Sequence, residues 1–235
     1  MIENLFSFVG MEKSKKMIEL SHEIEHGMVT YQGLDAPVIC DYWTREESKA
    51  LYEDESTFQI GKIDMVANTG TYLDVPFHRF EDGKDFTAIT LEQLAHLEGI
   101  LVKIEDKTVK SIDKHYFEGL DLAGKAVLVY TDWSRFWRTD AYFSNHPYLT
   151  EEAAMYLKNQ GVQLVGIDSY NIDNTSVYKR PVHTILLGAE ILIVEHLTNL
   201  AQIPAHTPFY FYATPPKIKG LGSFPVRAFA VLDHE

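Results

Sequence analysis

Hydrophobic and polar positions change over along the chain in short stretches, and these predict strands alternating with short helices. Residues 18–24 read as a first strand carrying His22, and turn signals follow it at Glu25-His26-Gly27 and Tyr31-Gln32-Gly33. Residues 41–56 are charged and lack a two-residue period, so they predict a loop with at most a short helical turn. Their length and polarity suit a flap over a site, carrying Trp43 and Tyr52. Residues 58–71 are long enough for a strand, with Phe58, Ile60, Ile63, Met65 and Ala67 apolar and a slip at Gly61 that points to a bulge. Thr90-Leu91-Glu92-Gln93 has the pattern of a capping box, predicting a short helix with Leu91, Leu94 and Leu97 on one face.

Three apolar runs follow at residues 100–104, 125–131 and 162–167. The last is almost continuously apolar, as expected of a strand covered on both faces. Between the second and third, Trp133, Phe136 and Trp137 read as core aromatics, and Thr150 caps a helix that has Glu151 and Glu152 in its first turn and ends at Gly161. The third run ends at Asp168, in a loop that also holds Asp173. Residues 183–190 predict a helical turn and 191–194 a buried strand ending at Glu195, with further strands at 209–213 and 225–232. No repeat or Gly/Ser linker divides this order. Residues 16–235 are therefore expected to form one domain, with residues 1–15 as an arm or short helix.

Composition narrows the partners. Thirty-four acidic against 21 basic residues give a net charge of −13, which disfavours nucleic acid and anionic membrane surfaces. No run approaches the ~18 apolar residues of a membrane span. The lone cysteine, Cys40, has no intramolecular disulfide partner and reads as buried and inert, and the N-terminal sequence has no export-signal pattern, so a cytoplasmic protein is expected.

Candidate chemistry concentrates in Asn68-Thr69-Gly70-Thr71-Tyr72-Leu73-Asp74-Val75-Pro76-Phe77-His78. Asp74 offers carboxylate oxygen and His78 imidazole nitrogen, a combination suited to a divalent cation or to an acid/base pair. Pro76 biases Val75 away from the helical region, so a turn at a strand end is expected rather than one helix face. Glu195 sits where a parallel strand meets its loop, the usual place for active groups in α/β sheets.

Gly70, Thr71, Asp74, Pro76 and His78 match, in register, the motif His-x-Gly-Thr-His-x-Asp-x-Pro-x-His. Leu20-Ser21-His22, Gly166-Ile167-Asp168, His183 with Leu186-Leu187, Ile193 to Leu197 and Pro225 to Ala228 add to the agreement. On these residues the chain resembles the cyclase family, which includes bacterial kynurenine formamidase and isatin hydrolase. The resemblance implies an α/β fold, a swivelling β/β/α domain with a mixed sheet, assembled as a homodimer or homotetramer. It also implies hydrolysis of a small amide, ester or lactone, with a small carbonyl compound, aromatic in some relatives, as substrate. Asn68 and Tyr72 replace the two motif histidines that, with the aspartate, hold a metal in the family. Asp74, His78, His183 and Glu195 survive as ligands for one zinc or manganese ion, or as metal-free acid/base groups. Whichever of His78 and His183 is not a ligand would carry the proton, with Glu195 orienting or ligating and Tyr72 donating to an oxyanion. A metal-free lyase or cyclase and a non-catalytic binding protein are the alternatives. Arg227 is read either as a substrate-carboxylate ligand or as an ordinary strand-edge residue, and His196 and His206 as neighbours of the ligands.

Overall fold

The structure is a computed structural model and describes residues 15–232; the expected N-terminal arm lies almost wholly outside them. Its main element is a nine-stranded mixed sheet. In chain order the strands are β1 (Lys16–Glu19), β4 (Tyr72–Asp74), β5 (Leu97–Lys103), β7 (Ala126–Tyr130), β9 (Leu164–Ile167), β10 (Leu192–Glu195), β11 (Phe209–Tyr212), β12 (Ser223–Pro225) and β13 (Phe229–Leu232). Across the sheet the order is β1-β13-β11-β5-β7-β9-β10-β4-β12, with β5, β7, β9 and β10 parallel and the flanking pairs antiparallel. Outside it lie a hairpin of β2 (Val38–Trp43) and β3 (Ile60–Asp64) and a small pair of β6 (Ser111–Ile112) and β8 (Tyr148–Leu149). Three helices complete the fold: α1 (Arg45–Lys49), α2 (Glu151–Asn159) and α3 (Pro181–Gly188). None is long and apolar enough to cross a membrane.

The sheet has to curl. β12 and β13 stand seven places apart in its order, roughly 34 Å if the sheet were flat, yet residues 226–228 alone join them. Those residues span at most about 14 Å, so the two ends of the sheet come close together. Side-chain alternation then builds two cores. Ala126 and Leu128 of β7 face the inside of the curl with Leu20, Leu73, Phe211 and Ala230, whereas Val127 and Val129 face the helices with Leu157 and Leu186. Both faces are dry, which explains the continuous apolar run read at residues 162–167.

Several expectations change in the folded chain. Strand β1 stops at Glu19, so His22 lies in the extended segment beyond it. Residues 41–56 carry the end of β2 and α1, the latter held by a capping box in which Thr44 and Glu47 bond reciprocally. Of the expected strand at 58–71 only β3, residues 60–64, is formed; a loop follows to residue 71, and β4 begins just beyond it at Tyr72. Tyr42 is the extra residue of a bulge in β2, opposite the Ile60-Gly61 step. Every residue of both hairpin strands is exposed, so no buried face forced the alternation that would have revealed them. Cys40 lies on this hairpin and is exposed, correcting the buried reading. The Thr90 helix is a single 3-10 turn, Leu91–Gln93, and Leu97 belongs to β5.

Candidate active site

Sheet register assembles the site. β4 is only three residues long and lies between β10 and β12, with Tyr72 opposite Glu195 on one side and Asp74 opposite Ser223 on the other. Tyr72 and Asp74 share one face of the strand by the two-residue period, and Leu73 points the other way into the core. Pro76 then begins a 3-10 turn, with Val75 extended at φ −118°, and the turn carries His78. Gly222 makes this turn possible. A Cβ there would lie 2.2 Å from the backbone nitrogen of His78, so only glycine lets β12 pass this closely.

Asp74 is fully buried. Its Oδ1 accepts a hydrogen bond from the Ser223 hydroxyl, and its Oδ2 is buried without a hydrogen-bond partner. Ser223 Oγ also lies 2.8 Å from His78 Nδ1. A serine hydroxyl has one proton, so when it donates to Asp74 it accepts from His78. The relay therefore places the proton of neutral His78 on Nδ1 and leaves Nε2 as the basic nitrogen.

His183, on α3, is buried, and its Nδ1 lies 2.6 Å from Asp173 Oδ2. Asp173 also accepts the backbone N–H groups of Val182 and His183 at 2.9 and 3.0 Å, capping the helix from outside and fixing the ring in one step. The opposite nitrogen, Nε2, lies 3.6 Å from Asp74 Oδ2 and 3.7 Å from Glu195 Oε1. Burial by itself would lower the pKa of His183. The hydrogen bond to Asp173 and the nearby carboxylates of Asp74 and Glu195 outweigh it and raise the pKa to about 10.

Glu195 ends β10. Its Oε1 accepts the Ile172 N–H at 2.6 Å, and its Oε2 accepts the Tyr72 hydroxyl, with Tyr31 Oη and Asn171 Nδ2 each 3.4 Å away. Burial pushes its pKa upward. Burial, and then the charge of Glu195, raises the Tyr72 phenol well above its usual value. Tyr72 is thus a neutral donor committed to Glu195.

Asp74, His78 and His183 each offer a ligand atom within 4.8 Å of one another, with Glu195 beside His183. Three buried carboxylates, Asp74, Asp173 and Glu195, surround this point, and among the described residues no lysine or arginine pairs with any of them. Buried charge of that kind calls for a cation. The orphaned Asp74 Oδ2 and the oxygen-and-imidazole donor set fit a divalent cation.

A cavity of about 270 Å³ opens onto the site, lined by His78 and His183, by Tyr31, Leu34 and Asn68, and by Arg79 and Arg180. No residue of the predicted flap lines it. Arg227 is exposed and paired with Glu19 at 2.7 Å, away from the cavity, and His206 is exposed. His196 is buried beside Tyr142, with its pKa held well below normal by burial. Asp168 is likewise structural, accepting from Thr131 N–H, the Thr131 hydroxyl and Asp132 N–H.

Ser223 and Asn171 had no role in the sequence reading, Tyr31 appeared there only in a turn signal, and Asp173 only as a loop neighbour. Ser223 reaches Asp74 through strand pairing across 149 residues, which leaves no local spacing to detect. Asp173 caps a helix that starts eight residues later, too far for a capping-box pattern.

Residues 18–174 match the family model described as putative cyclase. The kynurenine formamidase of Bacillus anthracis is 26% identical over 217 residues, covering 92% of this chain and 97% of that protein. The kynurenine formamidase of Geobacillus thermodenitrificans is 29% identical over 214 residues, covering 90% and 95%. Among solved structures, one described as a potential metal-dependent hydrolase with cyclase activity superposes with a TM-score of 0.76 at 27% identity, covering 94% of this chain and all of that one. Isatin hydrolase A from Labrenzia aggregata shares the fold, with a TM-score of 0.79 at 20% identity and 94% coverage of both chains. The curled mixed sheet and the match over two-thirds of its length make this chain a member of the cyclase family.

Proposed function

We propose that the protein is a metal-dependent hydrolase that cleaves a small-molecule amide, ester or lactone, with formamide-type amides the first substrates to test. The observation that carries this reading is the buried, unpartnered Asp74 Oδ2 3.6 Å from His183 Nε2, with Glu195 Oε1 3.7 Å from the same nitrogen. Kynurenine formamidase relatives that span nearly the whole chain support the amide class.

Asp74, His183 and Glu195 would hold the ion, and His78 would move the proton. When bound, a divalent ion polarises a carbonyl oxygen and makes water more acidic. The chain's own groups do the rest. Asp173 holds the Nδ1 proton of His183 and so presents Nε2 as a lone pair. Ser223 fixes Asp74 and His78 together, leaving His78 Nε2 to take a proton from water and return it to the leaving amine or alkoxide. Tyr72 holds Glu195 in place, a positioning role instead of the oxyanion donation expected from sequence.

The metal-free lyase and binding-protein readings have their own observation, because protonated His183 would itself supply a positive charge among the three carboxylates. Metal analysis of protein purified without chelator, followed by assay on formylated arylamines and lactones, decides between them. About one zinc or manganese per chain with hydrolysis supports the proposal, and hydrolysis by protein that stays metal-free after reconstitution refutes the metal role. The homodimer or homotetramer implied by the family resemblance belongs to the same proposal and is tested by sedimentation.

A further inference from the structure

We infer that the substrate carries an anionic group, a carboxylate in the simplest case, recognised by Arg79 and Arg180 in the cavity wall; this rests on the hydrolase reading of the same site. The chain has six arginines. Arg135, Arg138 and Arg227 form ion pairs with Asp132, Glu25 and Glu19 at 2.6 to 2.8 Å. Among the described residues, Arg79 and Arg180 have no carboxylate partner, and both line the cavity. No aspartate or glutamate lines it with them. In a chain of net charge −13, two guanidiniums on one small cavity, neither in an ion pair among the described residues, are available to an anionic ligand.

Each guanidinium is held by one edge and free on the other. Arg79 donates from Nε to Thr184 Oγ1 at 3.1 Å, leaving both Nη groups without a protein partner among the described residues. Arg180 donates from Nη1 to the carbonyl oxygens of Asn174, Val177 and Lys179 at 3.2, 2.7 and 2.8 Å, leaving Nε and Nη2. A guanidinium braced on one edge, with free N–H groups on the other, suits a planar, two-oxygen anion. The start of α3 offers no competing site, because Asp173 takes the N–H groups of Val182 and His183. The cavity's modest size, about 270 Å³, then restricts the ligand to a small molecule bearing both the carbonyl and the anion.

The test compares 2-formamidobenzoate with 2-formamidobenzamide as substrates, and 2-aminobenzoate with 2-aminobenzamide as ligands in fluorescence titrations. The variants are Arg79→Met, Arg79→Lys and Arg180→Gln, with thermal unfolding as the folding control. Arg79→Met is the main variant, since Arg79 is exposed and makes one hydrogen bond, whereas Arg180 also braces three carbonyls. Wild-type protein is expected to favour the benzoate by about 10- to 100-fold in kcat/KM, mostly through KM, the range of a charge-assisted hydrogen bond. Arg79→Met collapses that ratio and Arg79→Lys restores part of it. A wild-type ratio near one, or a ratio that survives both Arg79→Met and Arg180→Gln, overturns the inference. An equal loss of affinity for charged and neutral ligands also overturns it, since the arginines would then only offset the buried carboxylates. If neither formamide is cleaved, the formamide-hydrolase reading has failed and the titrations decide alone. Tighter binding of 2-aminobenzoate, lost in Arg79→Met, upholds anion recognition, and equal binding or none refutes it.

Discussion

The two ends of the segment from Asn68 to His78 share one backbone and do different work. At the first end every side chain is neutral, and those of Thr71 and Tyr72 serve the fold. The Thr71 hydroxyl donates to the His196 carbonyl at 2.6 Å and accepts the His22 N–H at 3.0 Å, and Tyr72 is committed to Glu195. The imidazoles nearby, His22 and His196, are kept neutral by burial. At the second end Asp74 and His78 join His183 in a charged cluster with an unpartnered carboxylate oxygen. With Asn68 and Tyr72 at the positions where the family motif has histidines, the first end presents only neutral groups, while the second keeps a donor set fit for an ion.

That contrast breaks first at Asp74. Asp74→Asn removes the charge and turns one oxygen into an N–H₂ group facing His183 or Ser223. We expect kcat/KM to fall by at least ~10³-fold together with loss of bound metal, as when a member of a tightly coupled unit is removed. Activity assays beside elemental analysis check both.

Acid tests the neutral end. Burial lowers the His22 pKa to about 4, below its unfolded value of 6.5. Its stabilising contribution is then complete above pH 6.5 and is lost as pH falls toward 4, by on the order of 3 kcal/mol. Denaturant unfolding across that window, compared with His22→Gln, should show the variant losing less stability than the wild type. Parallel curves would remove burial of His22 from the account.

Ser223→Ala sharpens the charged end. It frees Asp74 Oδ1 and His78 Nδ1 together, with an expected loss of about 10- to 100-fold in activity, as for other groups that orient ligands. The pH profile of kcat/KM should move as well, because the proton on His78 is no longer placed on one nitrogen. The smallest effect is expected at Tyr72→Phe. It should cost about 1–3 kcal/mol of stability by leaving Glu195 Oε2 poorly satisfied, without abolishing metal binding.

How much of this was legible in the sequence follows the same division. The buried parallel strands were readable because residues 126–130 and 164–167 are covered on both faces and stay apolar throughout. Asp74 and His78 were readable from the motif, Glu195 from its strand end and His183 from the family resemblance, and they do converge. The β2–β3 hairpin was not, because an exposed ribbon imposes no alternation. Nor were the supporting contacts of Ser223 and Asp173, which depend on strand register and on a cap set at a distance. Cys40 was misread for the same reason as its strand.

The most direct test of the central claim is the metal content, measured side by side, of wild-type protein, Asn68→Ala and Asp74→Asn purified without chelator and reconstituted with zinc or manganese. About one ion per chain is predicted for the wild type and for Asn68→Ala, and almost none for Asp74→Asn. Equal metal in Asp74→Asn, or loss of metal on changing Asn68 alone, would contradict the assignment of the ion to the second end of the segment.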